Sequence, residues 1–279
     1  MAFFPGSLGS GYVGGINTTS IQSGNLIGNF DSTQSIATTH WGNQVTNGKH
    51  LRRYNNIVHD NTDPDKWLFD GADDYLGKAA TNYGGDPFAF NPASAWAMGQ
   101  WVRYNNNDHH LLWLSDVSIS TDPKPAYGSW LKFSIMASSD QAVLTINTNP
   151  SSDSDETQTT TFSNFTFSNT GAKWYYVGLT YNGSNSGWRY HFTVNGIEYG
   201  RSTIQKCKNA TAYPEIGAVL IGGGGSAWVP SYTSGSSTTK IGHVHFYNTN
   251  AGRSTFWRNY MATHKSNTAR WYGASFTAT

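Results

Sequence analysis

Residues 173–200, KWYYVGLTYNGSNSGWRYHFTVNGIEYG, decide the fold class of this chain. Within them, WRYHFTV (188–194) alternates apolar with polar residues. A period of two is typical of a β-strand with one buried face. Asn182-Gly183 and Asn195-Gly196 tolerate positive φ, as tight hairpin turns require. The stretch therefore predicts consecutive antiparallel strands.

The same kind of pattern continues on both sides of this stretch. Short apolar or alternating runs, separated by turn residues, occur at 95–104, 111–116, 129–137, 142–148 and 240–248. Aromatic residues make up 15% of the 279 residues and charged residues 13%, a composition that favours strands over helices. These runs predict an all-β sandwich. The spacing of Phe256, Tyr260 and His264 predicts one short helix near the C-terminus.

Charge and hydropathy exclude several classes of partner. The net charge is +1 and no basic run occurs, so we expect no nucleic-acid partner. No apolar stretch approaches the length of a membrane span, so we expect no membrane partner. The first residues lack the basic and apolar regions of a secretory signal. The single Cys207 cannot form an internal disulfide.

Six motifs in a fixed order carry a resemblance to a known family. They are FDGADDYLG (69–77), AWAMGQWV (95–102), KWYYVGLTYNGS (173–184), FTVNG (192–196), LIGGG (220–224) and KIGHVHFYN (240–248). Together they resemble the laminin-G-like, or concanavalin-A-like, jelly roll over roughly residues 64–265. Members of this family include glycan-binding lectins, adhesion modules, and spacers in extracellular and phage structural proteins. Gly242 and His243 stand where members often carry acidic residues.

The domain organisation predicted from composition has two parts. Residues 1–60 are rich in Gly and Ser and predict an N-terminal arm, whereas 61–279 form the jelly-roll sandwich with the short helix. Edge strands of the same domain are the alternative for the first part. We expect the arm to dock on a partner chain through four apolar residues: Phe3, Phe4, Tyr12 and Ile16.

Carboxylates in FDGADDYLG raise the question of catalysis. Glycan hydrolases need two carboxylates on either side of the scissile bond. On a regular strand, Asp70 and Asp74 would project from one face and Asp73 from the other. Gly71 fits a turn or bulge where the chain enters a strand. No glutamate lies in an alternating run of carboxylates. The sequence therefore predicts a structural role for this cluster, no catalytic residue, and no enzyme.

Two histidines are the strongest metal candidates. His243 and His245 are two residues apart, so both project from one face of a strand. A zinc site needs three or four ligands, and no further ligand lies nearby in sequence. We therefore expect no cofactor and no metal at this pair, and face-sharing histidines on a polar sheet surface instead. A calcium site is an alternative that the sequence leaves open, because DGADD and DNTDPDKW contain side-chain oxygens of the kind that bind calcium.

Glycan binding is the remaining kind of site. Sugar sites combine an aromatic platform with polar donors in loops, and both are abundant here. The aromatic residues in polar or Gly-rich surroundings are the candidate ligand-binding residues: Trp41, Trp228 and Tyr232. A place in the core or in a subunit contact is the alternative for each of them.

Taken together, these patterns predict a non-enzymatic structural or decoration protein on the surface of a virion, a phage head or tail. Its partners would be other virion proteins, sister subunits or surface glycans, and it would be made in the host cytoplasm. A carbohydrate-binding or adhesion module, located outside cells, is the alternative. A glycan-active enzyme with an unrecognised site is the second alternative.

Overall fold

The computed structural model describes most of the sandwich but only part of the loops. The described residues are 25–31, 40–45, 49–54, 57–60, 66–69, 75–78, 88–103, 109–115, 130–136, 140–147, 157–166, 174–184, 186–206, 213–215, 220–222, 228–230, 239–256 and 258–259. The predicted docking residues Phe3, Phe4, Tyr12 and Ile16 lie outside them, as do Asp70, Asp73 and Asp74.

Strands account for most of the described residues. In chain order they are β1 Leu26–Asp31, β2 His40–Trp41, β3 Leu51–Tyr54, β4 Val58–Asp60, β5 Lys66–Phe69, β6 Tyr75–Lys78, β7 Trp96–Arg103, β8 His109–Ser115, β9 Trp130–Met136, β10 Gln141–Asn147, β11 Thr157–Phe162, β12 Trp174–Tyr181, β13 Tyr190–Val194, β14 Ile197–Ser202, β15 Tyr213–Glu215, β16 Leu220–Gly222, β17 Trp228–Pro230 and β18 Thr239–Tyr247. All the pairs that they form are antiparallel.

Two large sheets form the sandwich. The eight-stranded sheet has the order β14-β13-β12-β7-β18-β5-β4, with β1 also paired to β18. Residues 239–241 at the start of β18 pair with β5, and residues 243–247 at its end pair with β1. The five-stranded sheet has the order β11-β10-β9-β8-β15. Two small sheets, β2-β3-β6 and β16-β17, accompany them.

The inner faces of the two large sheets enclose the core. Phe192 of β13 lies 5.8 Å, centroid to centroid, from Phe133 of β9, and 5.2 Å from Phe162 of β11. Alternate residues of β9 and β10 supply Leu131, Ile135, Leu144 and Ile146, all buried. Side chains of both sheets interdigitate, as in a sandwich. The fold is an all-β jelly-roll sandwich, which confirms the predicted fold class.

For the described residues before 60, the pairing of strands favours the alternative in which they belong to the same domain. β1 pairs with β18 from Leu26↔Tyr247 to Asp31↔His243, and Phe30 packs edge-on against Phe88 at 5.2 Å. β4 pairs with β5 in the same sheet. β1 and β4 therefore belong to the eight-stranded sheet, where β1 lies along the half of β18 that β5 does not cover.

The Asn195-Gly196 turn forms as predicted. Asn195 has φ 50° and Gly196 has φ 82°, so both central residues adopt the positive φ of a type I′ hairpin. The Asn195 side chain accepts a hydrogen bond from the Tyr176 amide at 2.8 Å. β13 and β14 are thereby fixed to β12.

A short helix near the C-terminus covers the outer face of the eight-stranded sheet. Residues 253–256 and 258–259 are helical, as the spacing of apolar residues predicts. Phe256 is fully buried in a cluster with Trp101, Trp174 and Tyr176. Its ring lies over Gly99 and Gly178, which face each other across β7 and β12. Both faces of this sheet are therefore buried here, and every residue of β12 is buried.

Candidate ligand-binding site

The connection between β12 and β13 is longer than the sequence predicts. A tight turn at Asn182-Gly183 would join the strands directly, but residues 182–189 form an eight-residue loop, of which the structure describes all but residue 185. Gly183 has φ 78° and Gly187 has φ 69°, so two glycines in the left-handed region shape it. We call residues 182–189 the hairpin tip.

Trp188 stands out among the tryptophans of the described residues. Its side chain is 53% exposed. The other four whose side chains are described, Trp41, Trp96, Trp101 and Trp174, are at most 1% exposed. The alternation in the sequence places Trp188 on the core face of a strand, and this is wrong because β13 begins only at Tyr190. The position after a glycine in a polar loop is the signal that could have identified it.

Hydrogen bonds hold the hairpin tip in one shape. The Asn182 amide donates to the Arg189 carbonyl at 2.9 Å, and the Asn182 side chain donates to the Trp188 carbonyl. The Tyr181 hydroxyl donates to the Ser184 carbonyl at 3.2 Å, and the Ser184 amide donates to Asn182 Oδ1 at 2.7 Å. An exposed aromatic ring on a loop that is ordered in advance loses little entropy on binding.

Charged side chains line the strands that begin and end beside the tip. Arg189 donates through Nη1 to the Thr203 carbonyl at 2.8 Å. Glu198 of β14 is paired with His191 of β13 at 3.3 Å and with Arg201, whose Nε donates to its carboxylate. The tip therefore combines an apolar ring with two serine hydroxyls, and the paired charges lie on the strands that follow it.

Two pKa shifts describe the electrostatics of this region. Burial raises the pKa of Tyr181, and the nearby Arg189 charge opposes that rise. Burial alone would raise the pKa of Glu198, but hydrogen bonds from Arg201 and His191 outweigh it and lower that pKa. Near neutral pH Tyr181 is therefore a neutral donor and Glu198 an ionised, already paired carboxylate.

The structure places the predicted ligand-binding residues elsewhere. Trp41 is fully buried and its ring lies 5.9 Å from that of Phe30, so its prediction as an exposed platform is wrong. The indole faces the core although its neighbours in sequence are polar. Trp228 begins β17 in the two-stranded sheet. Tyr232 lies outside the described residues. Trp41 therefore belongs to the core and not to the hairpin tip.

The histidine pair on β18 shares one face, as predicted, but it is buried rather than on a polar surface. The rings of His243 and His245 stack with centroids 4.2 Å apart, and neither is exposed. His243 Nε2 donates to Asn29 Oδ1 of β1 at 2.6 Å, and Asp31 lies 4.0 Å from its Nδ1. Among the described residues no group of three His, Cys, Asp or Glu could hold a metal. The pair joins β1 to the sheet.

His245 extends this buried network towards the C-terminal helix. Its Nδ1 and the Tyr176 hydroxyl share a hydrogen bond of 2.8 Å. Asn259 donates to the Tyr247 hydroxyl and hydrogen-bonds Tyr176 as well. Burial raises the pKa of both tyrosines well above the usual value, so both phenols stay neutral. The network connects β1, β18, β12 and the helix with polar groups in a dry environment.

Tyr176→Phe tests how much this network contributes to the stability of the fold. Loss of the hydroxyl removes the hydrogen bond to His245 Nδ1 inside a buried cluster, so we expect the free energy of unfolding to fall by about 1–3 kcal/mol. Urea denaturation followed by fluorescence measures it. Tyr199→Phe is the control: the Tyr199 ring packs on Phe165 at 5.6 Å, and its hydroxyl makes no hydrogen bond to the described residues. Equal stability of the two variants would contradict the role of the network.

The same geometry bears on catalysis. Lyases use a tyrosine beside a histidine, and Tyr176 with His245 has that pairing, but both side chains are unexposed and no substrate reaches them. Glycoside hydrolysis needs a pair of carboxylates about 5–10 Å apart. On β13 and β14, the described residues offer one carboxylate, Glu198, which His191 and Arg201 already hold.

Comparisons with known proteins identify the fold. No model of a protein family matches the sequence, and no curated protein matches it either. Among solved structures, the chain is similar to the ligand-binding domain of botulinum neurotoxin serotype D, in complex with N-acetylneuraminic acid. The TM-score is 0.53 at 10% identity, over 85% of this chain and 50% of that one.

Two further structures give the same result. The binding domain of Paraclostridial Mosquitocidal Protein 1 has a TM-score of 0.55 at 10% identity, over 86% of this chain and 52% of that one. The botulinum neurotoxin serotype G binding domain has a TM-score of 0.56 at 10% identity, over 86% of this chain and 51% of that one. The chain spans about half the length of these relatives, and at this identity the likeness shows the fold alone. No helix in the described part of the chain has the length and apolar character to cross a membrane.

Proposed function

We propose that this chain is a non-enzymatic carbohydrate-binding module and that Trp188 is its sugar-stacking platform. The observation that carries the proposal is the 53% exposure of the indole on a hydrogen-bonded loop. An exposed indole on an ordered loop offers a flat apolar face on which a sugar ring can stack, and its N–H can donate a hydrogen bond. Its neighbours Asn182, Ser184 and Ser186 are hydrogen-bonding groups of the kind that sugar hydroxyls use.

The structural relatives support the same class of ligand. One of them is a ligand-binding domain in complex with N-acetylneuraminic acid, and others are receptor-binding domains. The chain covers only about half of each of them, so the argument rests first on Trp188. Membership of the laminin-G-like family is part of the proposal. A place on a virion surface, with virion proteins or sister subunits as partners, stays a prediction of the sequence.

A screen of the purified chain against a panel of neutral and acidic oligosaccharides tests the function. We expect at least one glycan to bind with a Kd of roughly 1 mM to 1 µM. We also expect no new reducing ends after prolonged incubation with the glycan that binds. Failure of every glycan would overturn the binding proposal. Release of reducing ends would favour the glycan-active enzyme.

A further inference from the structure

A bulge in β18 brings its two histidines to the outer face of the eight-stranded sheet. The register of β18 on β7 shifts between Ile241 and Val244. Both of these side chains belong to the core, although a regular strand would place them on opposite faces. The extra residue of the bulge therefore reverses the alternation, and His243 comes to share the outer face with His245.

Strand β1 lies along this histidine pair. In its register with β18, Asn29 lies opposite His245 and Asp31 lies opposite His243. Both imidazoles are fully buried, and Asp31 is only 4% exposed. Among the described strands, β1 pairs with β18 alone. Detaching β1 from the sheet therefore breaks one strand pairing and admits water to both rings.

The contacts of His243 suit a protonated ring. Its Nε2 donates to Asn29 Oδ1 at 2.6 Å, so a second proton on this ring lies at Nδ1. The Asp31 carboxylate is 4.0 Å from that nitrogen. An opposite charge at this distance favours the charged form of the imidazole. β1 therefore supplies the counter-charge for one proton.

The contacts of His245 oppose a second proton. Asn259 donates to the Tyr176 oxygen, so the Tyr176 hydroxyl donates its own hydrogen to His245 Nδ1 at 2.8 Å. A proton on Nδ1 would disrupt this arrangement. It would also place a second cation in a buried site whose ring centroid is 4.2 Å from that of His243.

Carboxylates are scarce on the elements packed against the pair. Apart from Asp31 of β1, their charged residues are cations: Arg103 of β7, Lys240 of β18, and Arg253 and Arg258 of the C-terminal helix. β12 supplies no charged residue. On the other side of β1, the exposed His50 accepts a hydrogen bond from the Asn43 amide at 3.0 Å. Among the described residues of these elements, one carboxylate therefore serves two imidazoles.

This imbalance makes the stability of the fold depend on pH. A histidine in the unfolded chain takes up a proton near pH 6.5, whereas folded His245 resists it. The unfolded state therefore binds more protons as the pH falls, so the free energy of unfolding falls as well. For one such group, the equilibrium constant for folding drops about 10-fold between pH 7.5 and pH 5.5.

We propose that the stacked histidines are an acid-sensitive lock, which holds β1 on the sheet near neutral pH and releases it in mild acid. β1 is the element that opens because it lies over the pair and has one strand partner. Its release uncovers Phe30, whose ring lies 6.3 Å from that of Phe246 in the core. The lock does not involve Trp188, and its failure would leave the function proposed for the hairpin tip intact.

Urea denaturation at pH 7.5 and pH 5.5 tests the lock in the wild type and three variants. In His245→Asn the amide oxygen replaces Nδ1 as acceptor and nothing titrates, so the folding constant should fall about 10-fold less than in the wild type. In Asp31→Asn the counter-charge of His243 is lost, so the fall should be about 10-fold larger. His59→Gln, at a half-buried histidine of β4, is the control and should match the wild type.

The pH dependence of these variants decides the outcome. The same fall in His245→Asn as in the wild type would overturn the lock. If His245→Asn does not fold at pH 7.5, Asp31→Asn decides alone, and a fall no larger than that of the wild type would overturn it.

Hydrogen–deuterium exchange of the whole chain locates the opening, after correction for the intrinsic effect of pH on exchange. Between pH 7.5 and pH 5.5, we expect the amides of β1 to lose protection at least 10-fold, while those of β9 keep theirs. In His245→Asn, β1 should stay protected at pH 5.5. Unchanged protection of β1 in the wild type would overturn its release, and so would an equal loss in β1 and β9, which identifies unfolding of the whole domain.

Discussion

Trp188→Ala is expected to weaken binding of the glycan identified in the screen by roughly 30-fold, with no loss of stability. A tryptophan at the centre of a contact typically contributes about 2 kcal/mol or more when truncated, and 1.4 kcal/mol corresponds to a factor of ten in Kd. The side chain is 53% exposed in the free protein, so its removal leaves no cavity in the core. Calorimetric titration gives the Kd, and urea denaturation gives the free energy of unfolding.

Val58→Ala is the matched control for this change. Val58 is the other large apolar side chain that is exposed among the described residues, at 51%, and it lies on β4 at the far edge of the same sheet from β14. We expect an unchanged Kd for this variant. If Trp188→Ala bound the glycan as tightly as the wild type, the hairpin tip would not be part of the binding site.

Phe256→Ala should have the largest effect on stability, a loss of about 3–5 kcal/mol in the free energy of unfolding. Phe256 is fully buried, and its ring lies 6.1 Å from that of Tyr176 and 6.5 Å from that of Tyr247. It is the apolar contact through which the C-terminal helix covers the sheet. A domain of this kind has a total stability of about 5–15 kcal/mol, so the loss is large in proportion.

A double-mutant cycle with Gly178→Ala shows whether the ring acts through the glycine beneath it. A Cβ at Gly178 would lie 2.5 Å from Thr193 Oγ1 and 3.0 Å from the Phe256 ring, so this change alone should destabilise the protein by about 1–3 kcal/mol. With Phe256 already replaced by alanine, part of that clash disappears. We therefore expect the two losses to be less than additive.

Gly252→Ser supplies the control for the added side-chain volume. A Cβ at Gly252 meets nothing within 4 Å, and serine suits the residue before the first turn of a helix. We expect no loss of stability. If Gly178→Ala were as stable as Gly252→Ser, the close packing of Phe256 on the sheet would be refuted.

The strands of the sandwich could be predicted because their signal is local. The runs at 95–104, 129–137 and 240–248 became β7, β9 and β18 with bounds that differ by one residue at each end. The positive φ of Asn195-Gly196 likewise depends only on those two residues and the strands beside them. A period of two and a turn dipeptide hold enough information for this level of structure.

Features set by contacts distant in sequence could not be predicted. β1 pairs with β18, and His243 hydrogen-bonds Asn29, which lies 214 residues earlier, so only contacts of this long separation show that β1 belongs to the sheet. Trp41 has polar neighbours in sequence, but Phe30 and β3 enclose it. The exposure of Trp188 depends on where the strand begins, and one residue of register reverses the face of a side chain.

The most direct measurement is the response of the Trp188 indole to a bound glycan. The chain, with ¹⁵N-labelled tryptophan, is titrated with the glycan that binds best, and the Trp188 resonance is assigned by its loss in Trp188→Ala. We predict that this resonance shifts along the same saturation curve as the calorimetric titration, while that of the buried Trp101 does not move. A Trp188 resonance that stays in place at saturating glycan would contradict its role as the sugar platform.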